Sequence, residues 1–89
     1  MFYISLDACI PYSEKTCHQV GARFNLEKGG GGFAFVGNYS VKGCYAWHSG
    51  KYAGKIFYGT GGTIKEMQAL VADPKYRPQG YDCAGDLRK

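Results

Sequence analysis

The side chains best able to do chemistry in this chain are its cysteines and histidines. The four cysteines are Cys9, Cys17, Cys44 and Cys83. Structural zinc sites normally place two ligands about two to four residues apart, and no two of these cysteines have that spacing. His48 follows Cys44 by a span of about 13 Å on a strand, too long for two ligands of one ion. We therefore expect no metal site and two disulfide bonds, the alternative being reduced thiols buried in a cytosolic protein.

The chain is short, and this is the structural reason to predict disulfide bonds. A chain of 89 residues makes one domain, residues 1–89, whose small core benefits from covalent cross-links. The spacing of the cysteines leaves all three connectivities open. Oxidised cysteines predict an extracytoplasmic location, either secreted or in an organelle lumen. The start "MFYISLDACI" lacks the pattern of a signal peptide, so we expect a leader to have been removed ahead of Met1.

Catalysis is not expected from the titratable residues. A nucleophile needs a base within hydrogen-bond reach and a third group that orients the base. His18 follows a cysteine on a predicted helix, and His48 ends a predicted strand beside Ser49, which is a common place for a solvated histidine. The acidic residues fall at positions that we expect to be exposed. We predict a protein that is not an enzyme and has no catalytic residues, cofactor or metal.

The stretch "KGCYAWHSGKYAGKIFYGTGGT", residues 42–63, predicts an aromatic β-hairpin. Alternation along its first strand places Cys44 and Ala46 on one face and Tyr45 and Trp47 on the other. The segment "SGKYAG" has turn chemistry, and "KIFYG" returns antiparallel. The expected binding residues for a partner or a sugar are Tyr45, Trp47, Tyr52 and Tyr58. An exposed tryptophan among polar groups would favour carbohydrate, whereas a flat apolar patch would favour a protein.

Single-stranded nucleic acid is a further alternative. "MFYISL" and "GGFAFVGN" loosely echo the two aromatic strand motifs of RRM domains, although the second lacks the leading basic residue and the final aromatic one. The four cysteines and the additional hairpin count against an RRM fold. A net charge of +4 permits an acidic partner without demanding one. Alignment of Lys42, Lys51 and Lys55 with the aromatic residues would favour nucleic acid.

The remaining elements predict an α+β domain with a small antiparallel sheet, two helices and an extended C-terminal tail. "MFYISL" reads as a first strand. A helix is expected over 13–25, capped by Ser13, with Gly21 packed closely against the sheet. Gly29–Gly32 reads as a flexible turn. A capping box of Thr63 and Glu66 opens a second helix, 63–73, whose apolar side includes Leu70. The end of the chain from residue 73, which is interrupted by prolines, is predicted to form the tail.

Two resemblances extend this reading. The motifs "KGCY", "YGTGGT" and the late "YDC" resemble a little-characterised cysteine-containing domain of diatom- and dinoflagellate-type algal proteins. The chain is also weakly similar to PAN/apple modules, which bind proteins or carbohydrates and bridge a helix cysteine to a sheet cysteine. That similarity implies the pairs Cys17–Cys44 and Cys9–Cys83.

The function expected from these observations is a non-catalytic interaction module or small accessory subunit. It would bind a protein partner within a larger assembly in an oxidising compartment, with a photosynthetic complex as one setting. The alternatives are a carbohydrate-binding PAN-like module and a single-stranded nucleic-acid binder.

Overall fold

The computed structural model of the chain describes residues 9–81. The predicted first strand, the end of the predicted tail and Cys83 lie outside the described residues. Within 9–81 a mixed sheet of five strands carries a helix on one face. The elements, in chain order, are α1 (Glu14–Arg23), β1 (Glu27–Lys28), β2 (Val36–Gly37), β3 (Gly43–Trp47), β4 (Lys55–Gly59), α2 (Ile64–Met67) and β5 (Lys75–Tyr76).

Local sequence signals account for α1. Ser13 is its N-cap, and the Ser13 hydroxyl accepts a hydrogen bond from the Thr16 N–H at 3.1 Å. The helix ends where Asn25 adopts a φ of 58°, a left-handed conformation that asparagine tolerates. Gly21 faces the sheet as predicted, because a Cβ placed on it would lie 2.9 Å from Cγ2 of Ile56. The missing side chain therefore allows α1 to pack closely on β4.

The β3–β4 hairpin is the centre of the sheet, as predicted. The two strands are antiparallel, with Cys44 opposite Tyr58 and Tyr45 opposite Phe57. Directly opposed residues lie on the same face. One face therefore carries Cys44 toward α1, and the other face carries Tyr45 and Phe57.

The prediction of an antiparallel sheet is wrong for one side of this hairpin. β1 and β2 both pair parallel with β4 along the same edge, whereas β5 pairs antiparallel with β3. The chain that leaves α1 runs along β4, departs from it after Lys28, and rejoins it at Val36. The direction of a strand at this edge depends on how α1 crosses the sheet. The alternation of residues within a strand does not indicate that direction.

The second half of the chain is less helical than predicted. The capping box is present: the Thr63 N–H donates to Glu66 Oε1 at 2.8 Å, and the Glu66 N–H donates to Thr63 Oγ1 at 3.1 Å. However, α2 ends at Met67, and Leu70 is 98% exposed instead of packing on the domain. Met67 still lies against Gly43, but Leu70 beyond it has no packing partner that would support a further turn of helix. The predicted tail also begins with a strand, β5, that extends the sheet.

A disulfide stands at the centre of the core. Cys17 on α1 and Cys44 on β3 are bonded, with an S–S distance of 2.07 Å, and both are completely buried. Ala46 and Ile56 surround the bond. The implied Cys17–Cys44 pair is thus confirmed. Cys9 is also disulfide-bonded, but its predicted partner, Cys83, lies outside the described residues.

Candidate functional site

The face of the sheet opposite α1 carries a pocket formed almost entirely of aromatic rings. It has a volume of about 160 Å³ and is open to solvent. The residues that line it are Phe33, Tyr39, Ser40, Tyr45, Trp47, Tyr52 and Phe57.

The floor of the pocket is a packed group of rings. Tyr45 and Phe57, opposed across the hairpin, stack with ring centroids 5.7 Å apart and an interplanar angle of 28°. Tyr39 and Tyr52 meet Phe57 edge to face at 5.8 and 5.9 Å, respectively. Such contacts are worth about 0.5–1.5 kcal/mol each beyond the burial of area. Since Tyr45 is only 6% exposed and Phe57 only 3%, this floor is part of the folded interior.

The glycine run supplies one wall. The N–H of Gly30 donates to the carbonyl of Phe33 at 2.8 Å, and the N–H of Phe33 donates back to Gly30 at 3.1 Å. Gly31 and Gly32 form the turn between them with φ values of 64° and 94°, which favour glycine. The predicted turn is therefore a closed miniature hairpin. It presents Phe33, 51% exposed, at 5.8 Å from the ring of Tyr52.

Positive charge flanks the rings. The ammonium group of Lys75 lies 5.0 Å from the ring centroid of Trp47, and that of Lys51 lies 5.7 Å from the ring centroid of Tyr52. The other two lysines near the hairpin are held elsewhere. Lys42 donates to Asn38 Oδ1 at 2.7 Å, and Lys55 forms an ion pair with Glu27 at 3.1 Å.

Two polar groups in the lining have unusual surroundings. Trp47 Nε1 is buried and has no hydrogen-bond acceptor among residues 9–81. The pKa of Tyr45 is raised to about 12, chiefly by burial and also by the phenols of Tyr39 and Tyr52, while Arg77 acts in the opposite direction. The Tyr45 phenol is therefore neutral at physiological pH, and the pocket lining includes no carboxylate.

Three of the four sequence-predicted binding residues meet in this pocket. Tyr45, Trp47 and Tyr52 all line it. Tyr58 lies on the face that packs on α1, where its hydroxyl donates to the carbonyl of Tyr12 at 2.6 Å. The structure therefore places Tyr58 apart from the other three.

Sequence reasoning missed Phe33, Tyr39 and Phe57. Period-two alternation in β4 was a signal for Phe57, because it stands opposite Tyr45 on the same face. Nothing local indicated that Phe33 and Tyr39 fold over the hairpin, since Phe33 is brought there by the excursion between β1 and β2, and Tyr39 by the chain that leaves β2.

The histidines contact aromatic rings. His18 meets Phe35 edge to face at 5.8 Å, and His48 stacks on Tyr76 at 3.9 Å. In the described part of the chain, no three histidine, cysteine or acidic side chains are grouped as metal ligands would be. Across the same residues, no helix has the length and apolar character needed to span a membrane.

No protein-family model matches the chain, and neither does any curated protein or solved structure.

Proposed function

We propose that the protein is a non-catalytic interaction module that binds a protein partner by receiving one large apolar side chain in the aromatic pocket. The pocket itself carries this proposal. An apolar cavity of about 150 Å³ holds a benzene molecule, so a volume of about 160 Å³ suits one phenyl ring or branched aliphatic side chain. Aromatic anchors in pockets contribute much of the binding energy at many protein interfaces.

The rigidity of the site supports a binding role. Its floor is buried and ring-stacked, and its Phe33 wall is held by a hydrogen-bonded hairpin. A preformed site loses little conformational entropy when it binds, so even a small pocket can contribute to affinity. The buried disulfide fixes the helix on the opposite face and suits work in an oxidising compartment. We place the module in the secretory route or an organelle lumen, as an accessory subunit of a larger assembly.

The lining favours a protein over the two alternative ligands. A sugar packs against an open aromatic ring face, but Lys75 and Tyr52 both lie against the ring of Trp47. Nucleic acid would need a basic groove along the rings. Of the three candidates for such a groove, only Lys51 lies over a pocket ring, whereas Lys42 and Lys55 are engaged with Asn38 and Glu27.

The proposal is tested by selecting peptides from a displayed random library on the intact protein. The selected peptides are then measured on two variants, Phe33→Ala and Phe24→Ala. These phenylalanines are matched in exposure, at 51% and 47%, but only Phe33 lines the pocket. We expect enriched peptides to share a large apolar residue, to bind Phe24→Ala like the parent, and to bind Phe33→Ala at least tenfold more weakly, about 1.4 kcal/mol.

Peptides that bind both variants equally well would show that the partner surface lies elsewhere. Failure to enrich any peptide, together with binding of the parent protein on a glycan array, would replace the protein partner with a carbohydrate.

A further inference from the structure

The charges around the pocket are unbalanced. In residues 9–81 the only ion pair is that of Lys55 with Glu27. Lys51 and Lys75 stand over pocket rings without a carboxylate partner in the same part of the chain. The two ammonium groups lie near neighbouring rings, those of Tyr52 and Trp47, and the low-dielectric aromatic floor does not screen the positive potential that they create.

The two lysines over the pocket rings disfavour a cationic ligand. Rings grouped around a pocket often bind a quaternary ammonium, because the negative ring faces attract positive charge. Here, ammonium groups already lie 5.0 Å from the ring of Trp47 and 5.7 Å from that of Tyr52. These ammonium groups already form cation–π contacts with the two rings, and their charge repels a second cation. The same lysines attract carboxylates placed on either side of an inserted ring.

We infer that the pocket recognises an acidic peptide segment, in which one aromatic side chain is flanked by aspartate or glutamate. This inference rests on the proposed function and specifies its partner. The ring fills the cavity against Tyr45 and Phe57, and the flanking carboxylates pair with Lys51 and Lys75 at the rim. The lysines act chiefly on specificity and on the rate of encounter, because rim charges steer a partner more than they hold it.

The single tryptophan of the chain, Trp47, provides the measurement, since it lines the pocket and reports occupancy by its fluorescence. Three blocked pentapeptides serve as probes: Asp-Glu-Phe-Glu-Asp, its neutral counterpart Asn-Gln-Phe-Gln-Asn, and the ringless Asp-Glu-Ala-Glu-Asp. We expect the acidic phenylalanine peptide to bind about three- to tenfold more tightly than the neutral one, and the difference to shrink at high salt. The ringless peptide should leave the fluorescence unchanged.

A double variant, Lys51→Gln with Lys75→Gln, tests whether these two lysines are responsible. Its matched control is Lys15→Gln with Lys65→Gln, which removes the same charge from exposed lysines that do not lie over the rings of Trp47 or Tyr52. The first variant should bind the acidic and neutral phenylalanine peptides alike, and the control should keep the preference.

The outcomes separate this inference from the proposed function. Equal binding of the two phenylalanine peptides by the parent protein would overturn the acidic preference and leave the apolar pocket standing. Absence of binding by both would overturn the apolar pocket as well. A response to short oligothymidylate that exceeds the response to every peptide would reassign the lysines to nucleic acid and overturn the inference.

Discussion

Arg77 connects three separate parts of the chain through backbone carbonyls. Its guanidinium donates to the carbonyls of Lys42 at 2.7 Å and Cys44 at 3.1 Å beside β3. It also donates to the carbonyl of Glu66 at 3.1 Å and to that of Ala69 at 3.0 Å around the end of α2. Burial lowers the pKa of Arg77, which shows that the surroundings partly desolvate the charge. This one side chain donates to the Ala69 carbonyl after α2 and adds a second donor at the Glu66 carbonyl, which also accepts from the Ala69 N–H at 3.3 Å.

Replacing Arg77 should therefore be costly. We expect Arg77→Met to lower the free energy of unfolding by about 2–4 kcal/mol, because several carbonyls lose a charged donor at once. Arg77→Lys keeps the charge but not the planar fork, so it should recover less than half of that loss. Urea denaturation of the three proteins provides the test. A lysine variant as stable as the parent would mean that charge alone matters at this position.

Tyr45 makes the free energy of unfolding decrease at alkaline pH. Its pKa is raised to about 12 in the folded protein, against an ordinary value near 10, so the folded state holds its proton more tightly. The stabilising contribution is complete below about pH 10 and is lost as the pH rises toward 12. Allowing for solvent screening, we expect Tyr45 to account for about 1–2 kcal/mol of the lost stability.

Stability curves at stepped pH should show this loss in the parent and a smaller one in Tyr45→Phe. A residual slope will remain in the variant, because burial also raises the pKa values of Tyr12 and Tyr76. Tyr81→Phe, which removes a half-exposed hydroxyl that lies away from the pocket and accepts from Arg23 at 2.9 Å, is the control. An unchanged slope in Tyr45→Phe would contradict the assignment.

At the scale of elements, the glycine hairpin offers a matched pair of positions. Gly31 and Gly32 occupy one turn, and both have positive φ, at 64° and 94°. A Cβ on Gly31 would lie 2.6 Å from a ring carbon of Tyr52, whereas one on Gly32 would meet nothing within 4 Å. Alanine in a left-handed backbone conformation costs about 1–2 kcal/mol at either position, but only Gly31→Ala must also displace the ring of Tyr52.

We therefore predict that Gly31→Ala is less stable than Gly32→Ala by about 1–3 kcal/mol, the usual cost of overpacking. Gly31→Ala should also shift the emission of Trp47, because Tyr52 lies 5.0 Å from the indole ring. Thermal unfolding and fluorescence spectra measure the two effects. Equal stability and equal spectra for the two variants would show that a side chain at position 31 does not displace the ring of Tyr52.

The attachment of α1 to the sheet depends on the Cys17–Cys44 bond. The bond spans 27 residues of sequence, for which chain-entropy arguments give a stabilisation of about 3–4 kcal/mol. Replacing both cysteines with alanine should remove most of that free energy and lower the denaturation midpoint accordingly. A double variant within about 0.5 kcal/mol of the parent would mean that packing alone holds the helix.

The sequence predicted those elements whose signals are local. Ser13 as a cap, Gly21 as a contact with the sheet, and the opposite faces of Cys44 and Tyr45 all follow from neighbouring residues, and all are confirmed. The parallel edge and the covering of the pocket by Phe33 were not predictable in this way. Both depend on a detour of the chain between two short strands that pair with the same neighbour.

At the scale of the whole molecule, the two faces of the sheet differ in what they contain. The α1 face holds the disulfide and the aliphatic core, including the fully buried Cys17 and Ile56. The opposite face holds the aromatic pocket, with the charged rim of Lys51 and Lys75. Leu70, 98% exposed, stands near the end of α2 as the main competing apolar contact point. Both faces contribute to stability, the first through the disulfide and the second through its buried rings, and only the second presents a recognition site.

A map of backbone amide NMR shifts, recorded while the acidic phenylalanine peptide is added, tests this division most directly. We expect the largest changes on the pocket, at Phe33, Trp47 and Tyr52, and no change at the amides of α1. Changes centred on α1 or on Leu70, with the pocket unaffected, would show that the peptide binds elsewhere.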